Sequence, residues 1–97
     1  MSKHYPDSLL RGLRNQIPID RLITDMLRLD SLRDNPLLRF RCPLCHNFHT
    51  ATSPKTNLAR CFDCQKNFNP IDMVMAVTQC CFVDAVELLK EKFNGMI

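Results

Sequence analysis

Cys42, Cys45, Cys61 and Cys64 form two Cys-x-x-Cys pairs separated by fifteen residues in a chain of 97. No other feature restricts the fold as strongly. Two residues between thiols let both sulfurs turn toward one ion while the intervening amides face the same sulfurs. The stretch between the pairs is long enough for a two-strand excursion that brings them together, so the spacing fits a tetrahedral metal site. Zinc suits four thiolates, and iron in a rubredoxin-like site suits the same set. A redox dithiol or a disulfide pair is a third possibility. A thioredoxin-type motif, however, needs only one such pair beside a βαβ pattern, and the sequence has no such pattern. One structural zinc is the reading that fits best. Four thiolates close the coordination sphere and leave no position for water or substrate.

Size makes a metal useful. A chain of 97 residues allows one small domain. Hydrophobic residues make up 45% of it, yet it has no Trp and one Tyr, so its core is thin. Metal binding supplies folding free energy that such a core lacks. No apolar stretch is long enough to span a bilayer, which argues against a membrane partner. The segment from Met1 to Asp20 lacks a signal-peptide pattern, so a cytoplasmic, reducing setting is expected and disulfides are disfavoured. The formal charge of +3 hints at an anionic partner. A zinc held by four thiolates removes two units, however, and net charge alone then makes no case.

Along the chain, residues 1–16 read as a partly flexible extension in which Leu9, Leu10 and Leu13 form a short helical turn. Residues 17–97 read as the zinc-ribbon domain. Ile19, Leu22, Ile23, Met26 and Leu27 give the stripe of an amphipathic helix behind Pro18. That helix stops near Asp30–Pro36, where Asp, Asn and Pro cluster. Leu37–Cys42 alternates as a strand into the first pair, Asn47–Ser53 is a second strand, and Asn57–Cys61 returns into the second pair. Asn69, Pro70 and Asp72 announce a helix with a near capping box, flanked by Phe68 and Met73 at the staple positions. Phe82, Ala85, Val86, Leu89 and Phe93 mark a last helix with Gly95 as its stop. His46 and His49 lie beside the first pair, where either could replace a Cys as ligand, but with four well-spaced thiols they read as exposed loop histidines; Cys80 and Cys81 read as helix packing. The fold class is α+β: a zinc ribbon of short antiparallel strands flanked by an N-terminal helix and two C-terminal helices.

Beyond spacing, Cys42-Pro43-Leu44-Cys45, Ser53-Pro54 and Cys61-Phe62-Asp63-Cys64 are followed by Ile71-Asp72-Met73-Val74 and by Phe82 through Leu89. In that order they resemble the N-terminal zinc-binding domain of bacterial and phage primases, over roughly Ile19 to Lys92. The resemblance implies a ribbon, one zinc and recognition of single-stranded template DNA. Three departures stand out. Cys45 takes the place of the family's usual His. The loop after the first knuckle lacks a Lys-Thr-Pro-Ser-Phe stretch. Ala59 stands where an aromatic is usual. No cluster of Asp and Glu able to hold paired Mg2+ ions follows, so the chain reads as a free-standing zinc domain and not as an enzyme.

Between Leu37 and Phe68 the basic residues are Arg39, Arg41, Lys55, Arg60 and Lys66, against the single acid Asp63. With Phe62 they form the candidate nucleic-acid contacts, because cationic side chains and an exposed ring are how single strands are held. The plain alternative assigns the charges to a solvated face; a second function makes the protein an adaptor whose stripe from Ile19 to Leu27, or whose last helix, docks a primase, a helicase or its own copy. An electron carrier is the third reading. No small-molecule substrate is expected.

Overall fold

The structure is a computed structural model that describes residues 4–34 and 37–93. Its elements run α1 (Asp7–Asn15), α2 (Ile19–Arg21), a π-helical turn (Leu22–Met26), β1 (Ser31–Asp34), β2 (Leu37–Phe40), β3 (Thr50–Ser53), β4 (Leu58–Cys61), β5 (Lys66–Phe68), α3 (Pro70–Thr78) and α4 (Phe82–Lys92). Antiparallel sheets of two strands (β1-β2) and three strands (β3-β4-β5) lie among the helices. The α+β ribbon expected from the sequence is the fold observed.

The amphipathic stripe after Pro18 is helical but not uniformly so. Ile19, Leu22 and Ile23 are buried as their spacing requires. From Leu22 the helix widens, with the Leu27 amide donating to the Leu22 carbonyl at 2.9 Å. Thr24 supplies a reason. Its hydroxyl donates to the Asp20 carbonyl, four residues back, at 3.0 Å and competes with the regular ladder. Arg28 then turns to φ 52° and ends the helix without a glycine.

Ser31–Asp34, in the stretch expected to be a turn, is instead the strand β1. Its register pairs Ser31 with Phe40 and Leu32 with Arg39. The ladder is extended by Arg41 N–H to Asp30 C=O at 2.8 Å. Alternation along β2 then points the amides of Phe40 and Leu38 away from β1, toward what would be an open edge. Two threonines of β3 close that edge. Thr50 Oγ1 accepts from Phe40 N–H at 2.8 Å and donates to Phe40 C=O at 2.6 Å. Thr52 Oγ1 accepts from Leu38 N–H at 3.3 Å. The two sheets are therefore joined by side-chain hydroxyls, not by a strand ladder. Thr50 is buried. Thr50→Val keeps the shape and leaves both Phe40 groups unsatisfied, so it should cost about 1–3 kcal/mol in urea unfolding.

The strand β5 (Lys66–Phe68) carries too few residues to have shown a pattern, and was not expected. Asn69 caps α3 as expected. Its side chain accepts from Asp72 N–H at 2.8 Å while Asp72 accepts from Asn69 N–H at 3.2 Å. Phe68 and Met73 are both buried beside that cap. On α4, Ala85, Val86 and Leu89 face the core. Phe82 does not reach it: the ring is 41% exposed and meets Tyr5 edge-on at 6.4 Å. Cys81 is exposed, so it does not pack; Cys80 alone lies partly against the core. Gly95, expected as the stop of α4, lies outside the described residues.

Residues before Ile19 join the same core. Leu13 of α1 and Ile17 are fully buried with Leu22, Phe40, Val74 and Leu89. Tyr5 donates to Glu87 Oε2 at 2.7 Å and ties the start of the described chain to α4. Burial and this bond to a carboxylate push the Tyr5 phenol up to about 12.

Candidate metal centre

Each Cys pair sits in a tight knuckle that ends in a left-handed residue. His46 follows Cys45 at φ 68°, and Gln65 follows Cys64 at φ 56°. Within the first knuckle, His46 N–H closes onto Cys42 C=O at 2.9 Å and Leu44 N–H points at Cys42 Sγ at 3.4 Å. In the second, Cys64 N–H points at Cys61 Sγ at 3.4 Å. The β3-β4 hairpin returns Cys61 beside the first knuckle, with Thr50 opposite Cys61 in register. The two pairs are thereby held face to face.

The four sulfurs all lie within 4.8 Å of one another. Cys42 Sγ is 3.8 Å from Cys64 Sγ, and Cys45 Sγ is 3.5 Å from Cys61 Sγ. A tetrahedron with zinc–sulfur bonds of about 2.3 Å has edges of about 3.8 Å, so the observed spacing suits zinc. Cys42 and Cys61 are buried, Cys45 and Cys64 partly so.

The electrostatics call for a cation. Burial, together with hydrogen bonds among the sulfurs, pushes the Cys64 thiol up to about 12. The Asn47 amide favours a Cys45 thiolate, yet burial and the neighbouring sulfurs leave that thiol above its usual range. Burial also opposes ionisation of Cys61, but the Cys64 N–H and three sulfur neighbours outweigh it and hold that thiol low. The protein's own groups thus favour a thiolate at Cys61 and oppose one at Cys45 and at Cys64. A dication is what allows four thiolates in one place. Zinc bound by Cys42, Cys45, Cys61 and Cys64 fills the coordination shell and serves structure.

A second cluster lies against the knuckles. Asp63 accepts from Asn47 Nδ2 at 3.2 Å and pairs with His49 Nδ1 at 3.1 Å, linking one knuckle to the approach of the other. The His49 contact, against the opposing effect of burial and with help from Asn47, holds the Asp63 carboxyl below its usual range. Phe62 is 43% exposed. His49 lies tilted against its ring at 5.2 Å, and the Arg60 guanidinium stands 5.6 Å from its centre. Both His46 and His49 are exposed loop residues, as expected.

The remaining candidate contacts are spread out. Lys66 is exposed on β5, opposite Cys61 in register. Lys55 occupies the β3-β4 turn, at the end of that hairpin away from the cysteines. Arg39 lies exposed on the outward face of β2. Arg41 has structural duties: it donates to Asp30 at 3.0 Å and to the His46 carbonyl at 2.9 Å, and sits 4.7 Å above the Phe48 ring. Arg60 and Phe62 are in contact with each other. His49 was missed because nothing in linear order links it to Phe62; only the β3-β4 register brings them together.

No curated protein matches the chain. The family described as the CHC2 zinc finger matches residues 5–97, nearly the whole sequence. Four clustered thiols, a two-knuckle ribbon and that match agree, and the chain belongs to the CHC2 zinc-finger family, as a zinc-binding module of primase type.

Proposed function

We propose that the protein binds single-stranded DNA on the outward face of the β3-β4-β5 sheet and has no catalytic activity of its own. The observation that carries this reading is the Arg60–Phe62–His49 cluster. Register puts Ala51, Arg60 and Asn67 in one row across the three strands. Thr50, Thr52, Ala59, Cys61 and Phe68 point the other way, into the core. The outward face thus carries Ala51, Arg60 and Asn67 in one row, with the exposed Phe62 ring next to the Arg60 guanidinium. A base stacks on Phe62 while Arg60 meets the phosphate, the general pattern for single strands. Lys66, in register with Cys61, adds its charge at the free edge of β5 and not on the outward row. The zinc holds this face in shape without touching the strand.

Fluorescence anisotropy with a labelled single strand across a salt series tests this. Phe62→Ala should weaken binding about tenfold, since one base stacked on a ring contributes about 1–3 kcal/mol. Arg60→Ala should weaken it for all sequences and lower the salt slope by about one. Absence of binding at low salt would remove the proposal.

One observation favours the adaptor reading instead. Leu32 is 62% exposed and Leu37 40% exposed, both on the outward face of the β1-β2 hairpin. They offer an apolar contact for a protein partner, and that reading takes precedence if the DNA titrations are flat.

A further inference from the structure

A groove of about 540 Å³ runs along the free edge of β5, between the first knuckle and α3. That volume falls in the usual range for small-ligand sites. Its lining mixes polar and apolar groups, and Leu44, 45% exposed at the tip of the knuckle, shares the apolar part with Met75 and Ala76 of α3. Asn67 and Gln79, each with a side-chain amide, also line this space. Asn67 uses its oxygen to accept from Arg60 at 3.2 Å, and its NH2 has no protein partner among the described residues. The Gln79 amide has no partner there at either end. Its backbone is turned to φ 57° at the end of α3, which holds the exposed side chain at the groove. Lys66 stands at the rim. The carboxylate on the groove, Asp72, is engaged by the N-terminal cap of α3.

We propose that this groove receives one unpaired adenine from a strand lying on the sheet face. The inference rests on the function proposed above and adds a base-reading site to it. The apolar part of the lining, Leu44 with Met75 and Ala76, suits the face of a planar base. A side-chain amide presents a donor and an acceptor side by side, the complement of the adenine N6/N7 edge; guanine offers two acceptors there. The Lys66 ammonium meets the adjoining phosphate. The groove is continuous with the sheet face through the Arg60–Asn67 contact, one strand spacing (about 4.8 Å) away.

The test compares two labelled thymidine strands of roughly twelve nucleotides, within the usual length of such sites. One carries a single central adenosine, the other an abasic residue there. The zinc-loaded full chain should bind the adenosine strand about fivefold more tightly. Gln79→Gly removes the amide and suits the left-handed backbone, so the fold is kept. It should bring the two strands within about twofold while leaving the abasic strand's affinity unchanged. Ala76→Phe, which fills the groove from its wall, should do the same. An adenosine advantage retained in either variant, or equal binding of both strands by the unaltered protein, overturns the groove proposal alone. Failure of both strands to bind overturns the sheet-face proposal with it.

Discussion

Removing zinc with a strong chelator unfolds the ribbon: the sheet signal in circular dichroism collapses, and Cys42, Cys45, Cys61 and Cys64 all become reactive to a thiol reagent. The magnitudes require it. A structural zinc contributes about 10–16 kcal/mol at neutral pH. A domain of this size retains only about 5–15 kcal/mol in total. Both strands that end at the second knuckle, and the loop that leaves the first, are fixed by the ion. Without it, the core that remains is mainly Leu, Ile and Val, with Tyr5, Met73 and the Phe40 and Phe68 rings. The thiols do not substitute for it, because the site opposes ionisation of Cys45 and pushes Cys64 up to about 12. Cys61→Ser should behave as the stripped protein does, with metal content falling in step. An unchanged spectrum from protein confirmed free of metal would refute the account.

Asn57→Ala should be as damaging as truncating a core side chain, at about 2–4 kcal/mol in urea unfolding. One side chain makes three bonds. Its Oδ1 accepts from Ile19 N–H at 2.8 Å, and its Nδ2 donates to the carbonyls of Arg14 and Ile17, both at 2.7 Å. The turn between β3 and β4 is thereby pinned to the junction of α1 and α2, some forty residues earlier in the chain. A hydrogen bond contributes about 0.5–1.5 kcal/mol net, and buried groups left unsatisfied cost more. Asn57 also holds φ 56°, which asparagine tolerates better than alanine. Asn57→Gly separates the two effects: it relieves the backbone and still loses the bonds, so it should recover only part of the deficit. Full recovery would show that the bonds contribute little.

Legibility from sequence followed the range of the cause. The metal site was readable because ligand chemistry fixes both residue type and spacing within each pair, and the long interval between pairs allows one simple excursion. The cap of α3 was readable because Asn69, Pro70 and Asp72 act on their immediate neighbours. The strand β1 was not, since Asp30, Asp34, Asn35 and Pro36 are turn formers and Leu32 alone among Ser31–Asp34 favours a strand. It forms because β2 offers it a ladder. The π-helical turn escaped for a similar reason, as the hydrophobic spacing of Leu22 to Leu27 is the same whichever ladder forms. The role of Asn57 was hidden for another cause: "SPKTN" is turn chemistry wherever it occurs, and no local pattern tells which distant carbonyls an asparagine will reach. At the proposed interface, Arg60 and Phe62 were nominated by type, while His49 depended on a register that only the folded hairpin supplies.

The chain turns its corners without glycine. Among the described residues, Arg28, His46, Asn57, Gln65 and Gln79 all take left-handed backbone angles. Each such residue with a side chain costs about 1–2 kcal/mol, less for asparagine. Two of the five close the knuckles, so part of what the ion supplies is spent bending the very loops that hold it. A homologous sequence with glycine at positions 46 and 65 would keep its shape at lower metal occupancy. This one makes cellular zinc supply a condition of having a shape at all.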